Sequence, residues 1–254
     1  MNSKQLKISI ITVCLNAKEH IETCINSVLN QTYPHIEYII VDGDSSDGTR
    51  EVLYQYEVRL DRLVSEKDNG IAQAMNKGLR LATGDYILFL NADDYLLENH
   101  TIEKAVGRMT GDIDIHGFSV LYGDDEKTVK MKSTPFSFMI NFKTCIMHQG
   151  AFCKRELFDR IGPFNETFSI AMDYDFFLRA YHAKSSIQCH GYPTSFMRDT
   201  GVSSQKDFKS LQKRFAEERD AHYKNVIHPG MKMLYHVYWI LYPIYRRIKW
   251  IKQT

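Results

Sequence analysis

The chain has 254 residues, 44% of them hydrophobic and 25% charged, with a formal net charge of +1. That length buries a sizeable core, and one large α/β domain is expected. A balanced charge gives no bulk attraction to nucleic acid, so partners must be argued from local features.

The five cysteines, Cys14, Cys24, Cys145, Cys153 and Cys189, are odd in number and lack C-x-x-C spacing. Reduced thiols in a cytoplasmic compartment are expected rather than a disulfide framework. MNSKQLKISIITV at the N-terminus has no signal-peptide h-region and cleavage site, so the protein is expected to stay inside the cell.

From Ile8 to Leu15 the run ISIITVCL is continuously apolar, as in a parallel strand covered on both faces. AKEHIETCINSVLNQT follows with Ile21, Cys24, Ile25, Val28 and Leu29 at helical spacing, Pro34 closes the unit, and IEYIIVD reads as a second strand. This is a βαβ crossover. The pattern repeats with a helix from SSDGTREVLYQY, a strand from LDRLVSE, a helix from NGIAQAMNKGLRLA and a fourth strand, DYILFLN, from Asp85 to Asn91. Such alternation predicts an open, doubly wound, mostly parallel sheet with helices on both faces and a ligand site beyond the carboxyl ends of its strands. Further on come a hairpin around GFSVLYGDDEKTVKMK with GDDEK as its turn, the segment HQGAFCKRELFDRIG, and the helix DYDFFLRAYH. Two short strands are expected near SIQCHG and TSFMR, then helical periodicity from Phe208 to Val226 and again from Met231.

Polar residues at the strand ends carry the chemistry. Asp42 ends the second strand, and DGDSSDGT makes a tight turn in which Ser46 or Asp47 can cap the next helix while Asp42 or Asp44 accepts hydrogen bonds from a nucleotide base or ribose. Asp68, in SEKDNGI, closes the third strand in an Asp-Asn-Gly turn that needs no ligand to explain it. The ends at Asp42, Asp68 and Asp93 nevertheless bring acidic groups to one edge of one sheet. Adjacent carboxylates at Asp93 and Asp94 repel unless protonation, donors or a cation relieves them. Either they cap a helix beginning near Leu97, or Asn91, Asp93 and Asp94 offer hard oxygens to Mn²⁺ or Mg²⁺, which keeps open positions for phosphate oxygens. A dinucleotide-binding dehydrogenase is excluded because NAKEH, not G-x-G-x-x-G, follows the first strand. No P-loop occurs, and the first strand carries no aspartate nucleophile.

ISIITVCLNA, IIVDGDSSDGT, EKDNGIAQAMNKG, GDYILFLNADD, HQGAFCKRELFDRIGPFNETF and DYDFFLR resemble, in order and spacing, the family 2 glycosyltransferases of GT-A fold, over about residues 7 to 205. The chain looks like a bacterial surface-polysaccharide enzyme. That resemblance implies inverting transfer from a nucleoside-diphosphate sugar, usually a UDP-sugar, to an acceptor hydroxyl. It implies that Asp42 and Asp68 hold the nucleoside, that the turn from Val13 through Leu15 to Asn16 lies beside the base, and that Asp93 anchors the metal on the diphosphate. Asn91 stands where the family more often has the first Asp of D-x-D. Lys77 would contact the diphosphate, and Arg198 and Ser203, in MRDTGVSS, would close over the donor. Asp173 matches the position of the general base, with Met172 where many members carry Glu. His148 would line the acceptor side. The implied organisation is a GT-A domain over residues 1–227, its nucleotide-sugar half up to about 110, and a C-terminal amphipathic tail over 228–254.

That tail, MKMLYHVYWILYPIYRRIKWIKQT from Met231, is too short in its apolar run to span a bilayer, and Pro243 interrupts it. Met233, Val237, Leu241, Ile244, Ile248 and Ile251 follow helical spacing, with Arg246, Arg247, Lys249 and Lys252 nearby. Such a helix suits the interface of an anionic membrane, placing the protein peripherally on its inner face near a lipid-linked acceptor. Packing on the domain or in a homodimer is the alternative. A nucleotide-sugar-binding module without catalysis is the competing function, and a nucleotidyltransferase is disfavoured for want of an early glycine-rich basic loop.

Overall fold

The computed structural model describes residues 5–124, 127–201 and 208–251. Ser203, Lys252 and two residues of the GDDEK turn lie outside the described residues, as do the side chains of Lys249 and Ile251.

Strands β1 (Ile8–Cys14), β2 (Ile36–Asp42), β3 (Arg62–Ser65) and β4 (Tyr86–Phe89) run parallel in the order β3-β2-β1-β4, joined by α1 (Ile21–Leu29), α2 (Thr49–Tyr56) and α3 (Ile71–Leu81). The continuous apolar runs reflect two cores, one per face of the sheet. Ile8 and Ile10 of β1 join α1, α2 and α4 (Thr101–Val106) in one; Ile11 and Val13 join α3 in the other, with α5 (Arg155–Ile161) and α6 (Met172–His182). Helix α3 lies so close to β1 that a Cβ on Gly78 would meet Ile11 Cγ2 at 2.4 Å. Only glycine permits that approach.

Beyond β4 the sheet continues through β8 (Ala151–Lys154), β6 (Ile115–Gly123) and β9 (Ile187–Arg198) to β5 (Tyr95–Leu96), with β7 (Thr128–Met131) paired to β6 as the expected hairpin. The two short strands expected near SIQCHG and TSFMR are one strand, β9, whose register shifts against β6 between Phe118 and Val120 accommodate Gly191 and Pro193. No helix begins near Leu97. Residues 95–96 form β5 against β9, and α4 starts only at Thr101, so Asp93 and Asp94 cap nothing.

Helices α7 (Phe208–Asn225) and α8 (Pro229–Ile251) close the chain. One side of α8 packs inward: Tyr235 is 1% exposed and donates to Asn141 Oδ1, and Trp239 Nε1 donates to His222 Nδ1 of α7. The other side is bare. Met233, Val237, Ile240, Leu241, Ile244 and Ile248 are all at least 47% exposed. Among the described residues no helix is long and apolar enough to cross a membrane.

At the edge of the sheet far from the strand ends, Glu37 is buried and accepts from Lys7 Nζ (2.8 Å), Ser9 Oγ (2.5 Å), Thr83 N (2.7 Å) and Thr83 Oγ1 (2.6 Å). Burial alone would raise its pKa, but these four donors outweigh it and hold the carboxyl at about 2, down from 4.5. A depressed folded-state pKa contributes stability above pH 4.5 that is lost as pH falls towards 2, up to about 3 kcal/mol. Urea midpoints measured from pH 7 to 2 should show this loss in the wild type. In Glu37→Gln the start should be lower and the slope over that window shallower.

Candidate active site

Register fixes which residues share a rim. Cys14 pairs with Asp42 and Asp42 with Ser65, so the loops after β1, β2 and β3 leave the sheet side by side, and the loop after β4 leaves beyond β1. At the end of the rim formed by the loops after β1, β2 and β3, Gly43 forms a floor: a Cβ there would lie 2.5 Å from Asp68 Oδ2 and 3.5 Å from Leu15 Cδ1. Leu15 is 58% exposed. Asp68 Oδ1 accepts from Gly70 N, which sets the turn into α3. Leu15, Gly43 and Asp68 thus converge on a small open cradle, with the exposed Asp44 beside them in the left-handed region (φ 69°) and paired to Arg50 at 2.9 Å.

Three residues expected at the donor are engaged by the protein itself. Asp42 is fully buried, and its oxygens accept from Ser45 Oγ (2.5 Å), Ser45 N (3.1 Å) and Ser65 Oγ (2.7 Å). It ties the β2 turn to β3 beneath the rim instead of facing a ligand. The Val13 side chain belongs to the core, 6% exposed. Lys77 Nζ donates to Lys67 O at 3.0 Å and pairs with Glu66 at 2.9 Å, so it braces the turn that carries Asp68.

At the other end of the rim the loop after β4 meets the 3₁₀ turn His148–Gly150 and the start of α6. His148 Nδ1 lies 3.1 Å from Asp173 Oδ2, and His148 Nε2 lies 3.2 Å from Asn91 Nδ2. A carboxylate only accepts, so Nδ1–H donates to Asp173. Burial on its own would lower the imidazole pKa, but the Asp173 hydrogen bond and charge, with Asp94 and Asp93 behind them, raise it. For Asp173 burial acts upward, and the His148 hydrogen bond and charge outweigh it, so its carboxyl titrates below the usual range. The pair is therefore a carboxylate beside an imidazole that holds its proton more tightly than a free one, and because Asn91 Nδ2 can only donate, its contact at Nε2 is made with the neutral ring.

Asn91 Oδ1 is buried with no hydrogen-bond partner. An orphaned hard oxygen two residues from the half-buried Asp93 fits a divalent cation that takes its remaining ligands from phosphate and water. Asp94 does not join them. It is 2% exposed, with Gln149 Nε2 donating to one oxygen at 3.0 Å and Arg198 N to the other at 3.1 Å. Burial, and then the neighbouring Asp93 charge, raise its pKa to about 7. The metal-ligand expectation for Asp94 is corrected: it is a strut that anchors the end of β9. Among the described residues no three His, Cys, Asp or Glu side chains close on one point, and at this loop Asn91 and Asp93 are the two that could hold a cation.

Arg198 ends β9 with its guanidinium 5.4 Å from the Tyr95 ring centroid and its Nε buried without a partner. Thr200 Oγ1 donates to Asp93 Oδ2 at 3.3 Å. The segment from Arg198 to Gly201 therefore lies against the carboxylates of the loop after β4.

The family model for Glycosyl transferase family 2 matches residues 9–184. The chain belongs to that family. The transferase is 36% identical over 184 residues to a PGL/p-HBAD biosynthesis glycosyltransferase of Mycobacterium bovis, covering 68% of this chain and 69% of the relative. To the Escherichia coli protein named UDP-Glc:alpha-D-GlcNAc-diphosphoundecaprenol beta-1,3-glucosyltransferase WfgD it is 32% identical over 219 residues, 82% of this chain and 83% of that one. Its fold is that of the mannosyltransferase PcManGT from Pyrobaculum calidifontis, solved with GDP-Man and Mn²⁺, at a TM-score of 0.68 and 18% identity, covering 93% of this chain and 70% of the other. The GT-A architecture expected from the sequence is the one observed.

Two residues that brace the transferase's candidate site escape a reading by motif. Gln149 holds Asp94, and its own carbonyl accepts from Ser195 Oγ at 2.8 Å; the HQG run could have flagged it. Glu217, on α7, has no local sign at all.

Proposed function

We propose that the chain is an inverting glycosyltransferase that moves a sugar from a UDP-sugar to a hydroxyl of a lipid-linked or oligosaccharide acceptor in surface-polysaccharide synthesis, with Asp173 as general base. The observation that carries this is the single chain of contacts Asp173–His148–Asn91, which joins a positioned carboxylate to the end of β4 where the diphosphate is expected. Leu15, Gly43 and Asp68 receive the nucleoside, with Asp44 at its edge. Asn91 and Asp93 would hold Mn²⁺ or Mg²⁺, which when bound would supply charge stabilisation to the leaving diphosphate. Arg198 adds a cation from above. Asp173, ionised at neutral pH, takes the proton of the acceptor hydroxyl as that oxygen attacks the anomeric carbon opposite the leaving diphosphate. His148 orients the carboxylate and so stands between acceptor and donor. The relatives' printed names support the substrate class: one carries a UDP-sugar and a diphosphoundecaprenol acceptor. Incubation with a panel of UDP-sugars and a diphospholipid-linked acceptor, followed by NMR of the new linkage, tests the reading. An α-linked donor should give a β-linked product; a retained configuration would rule the mechanism out.

The bare side of α8 supports a peripheral site on the inner face of the membrane. From Pro229 to Ile251 the helix carries no acidic residue, and its sequence includes the cations Lys232, Arg246, Arg247 and Lys249. Cosedimentation with phosphatidylglycerol vesicles should capture the protein. Replacing Ile240 and Ile244 together with Glu should release it while leaving the inward aromatic contacts whole. If the wild type stays in the supernatant and sediments as a dimer in the centrifuge, the stripe is a homodimer face instead.

A further inference from the structure

The carboxylate of Glu217 closes on the backbone that leads into α6. It accepts from Ser169 N at 3.1 and 3.0 Å, Ser169 Oγ at 2.7 Å, Ile170 N at 2.7 Å and Ala171 N at 2.9 Å. Helix α6 starts at Met172, and Ala171, at the cap position, offers no side-chain oxygen. Glu217 thus supplies from another helix the negative charge and the acceptors that a local Ser or Asp cap would give. It is 9% exposed, and although burial would raise its pKa, these donors keep it below the usual range.

The same face of α7 continues the grip. His222 Nε2 lies 2.6 Å from Tyr174 Oη, and Asn225 Nδ2 donates to Asp175 Oδ1 at 2.8 Å. Trp239 of α8 donates to His222 Nδ1, so the neutral His222 carries its proton on Nε2 and donates to Tyr174, whose own proton goes to Ile140 O at 2.7 Å. Helix α7 therefore holds residues 169–171, 174 and 175 on either side of Asp173, whose Oδ2 accepts from His148 and whose Oδ1 accepts from Tyr174 N at 2.7 Å, with the charge of Arg214 on α7 adding to the pull on it.

We propose that Glu217 is a positioning residue for transfer: it fixes the start of α6 so that the Asp173 carboxylate stays against His148 and faces the donor end of the rim. This rests on Asp173 being the base. Displacing a reacting group by about 1 Å can cost about 10²-fold in rate. Glu217→Ala in the full chain should lower kcat about 10- to 100-fold, and Glu217→Gln, which keeps one acceptor oxygen, should lower it less. UDP affinity measured by calorimetry should be unchanged in both. Glu37→Gln, destabilised at a remote edge, should keep wild-type kcat, which separates positioning from mere loss of stability. In an Asp173→Asn background Glu217→Ala should lower the residual rate by less than about twofold, because nothing remains to position. Wild-type kcat in Glu217→Ala, or the same fold-loss in both backgrounds, would overturn the proposal. If Glu217→Ala does not fold, Glu217→Gln decides, and wild-type kcat in it refutes the role. Full turnover by Asp173→Asn alone would remove the base reading and this one with it, whereas an inert Asp173→Asn beside a normal Glu217→Ala removes only the positioning role.

Discussion

Asp173→Asn is expected to lose about 10²- to 10⁴-fold in kcat while binding UDP as the wild type does. The amide keeps the size of the side chain and can still accept from His148 Nδ1–H, so the local geometry should survive. What it loses is the ability to accept the acceptor's proton. The wild-type carboxylate lies below the usual pKa range because His148 is beside it, which keeps it ionised through neutral pH. Single-turnover measurement with pre-bound donor isolates the step. Turnover near wild type would assign the proton to another group, and His148 would be the first to examine.

Asp93→Ala should be severe in a different way, losing donor binding and transfer together. On the proposed reading the half-buried Asp93 is the carboxylate that joins the orphaned Asn91 Oδ1, two residues before it, in holding the cation, since Asp94 faces Gln149 and Arg198 instead. Without it a cation keeps only a neutral amide from the protein, and a dianionic leaving group faces the remaining carboxylates. A loss of about 10²- to 10³-fold in kcat is the scale for removing one such stabilising group, with Mn²⁺-dependent UDP binding falling in parallel. Calorimetry with and without Mn²⁺ separates the two effects. Equal UDP affinity in the variant and the wild type, with the ion present, would place the metal elsewhere.

Much of this architecture is legible in the sequence because strands β1, β2 and β4 are covered on both faces. Ile8, Ile10, Ile11 and Val13 must all be apolar when alternate residues enter opposite cores. Strands β5 and β8 are not legible in that way: two and four residues long, they owe their identity to partners far along the chain. Strand β9 looks broken at Gly191 and Pro193 because sequence alone does not reveal a bulge. The same divide runs through the site. Asp173, His148 and Asn91 come from short runs whose spacing is local, and the fold brings them together. Asp42 and Asp94 sit at the right strand ends, yet their burial depends on Ser65, Gln149 and Arg198, which arrive from elsewhere in the chain. Glu217 lies 46 to 48 residues from the amides it holds, with nothing in its own neighbourhood to mark it.

The placement of the donor is tested most directly by the anomalous difference density of crystals grown with Mn²⁺ and UDP. A single manganese peak beside Asp93 and Asn91 Oδ1, with the uracil over Gly43 between Leu15 and Asp68, is the result expected. Ordered UDP bound away from this rim, or manganese on other side chains, would contradict it.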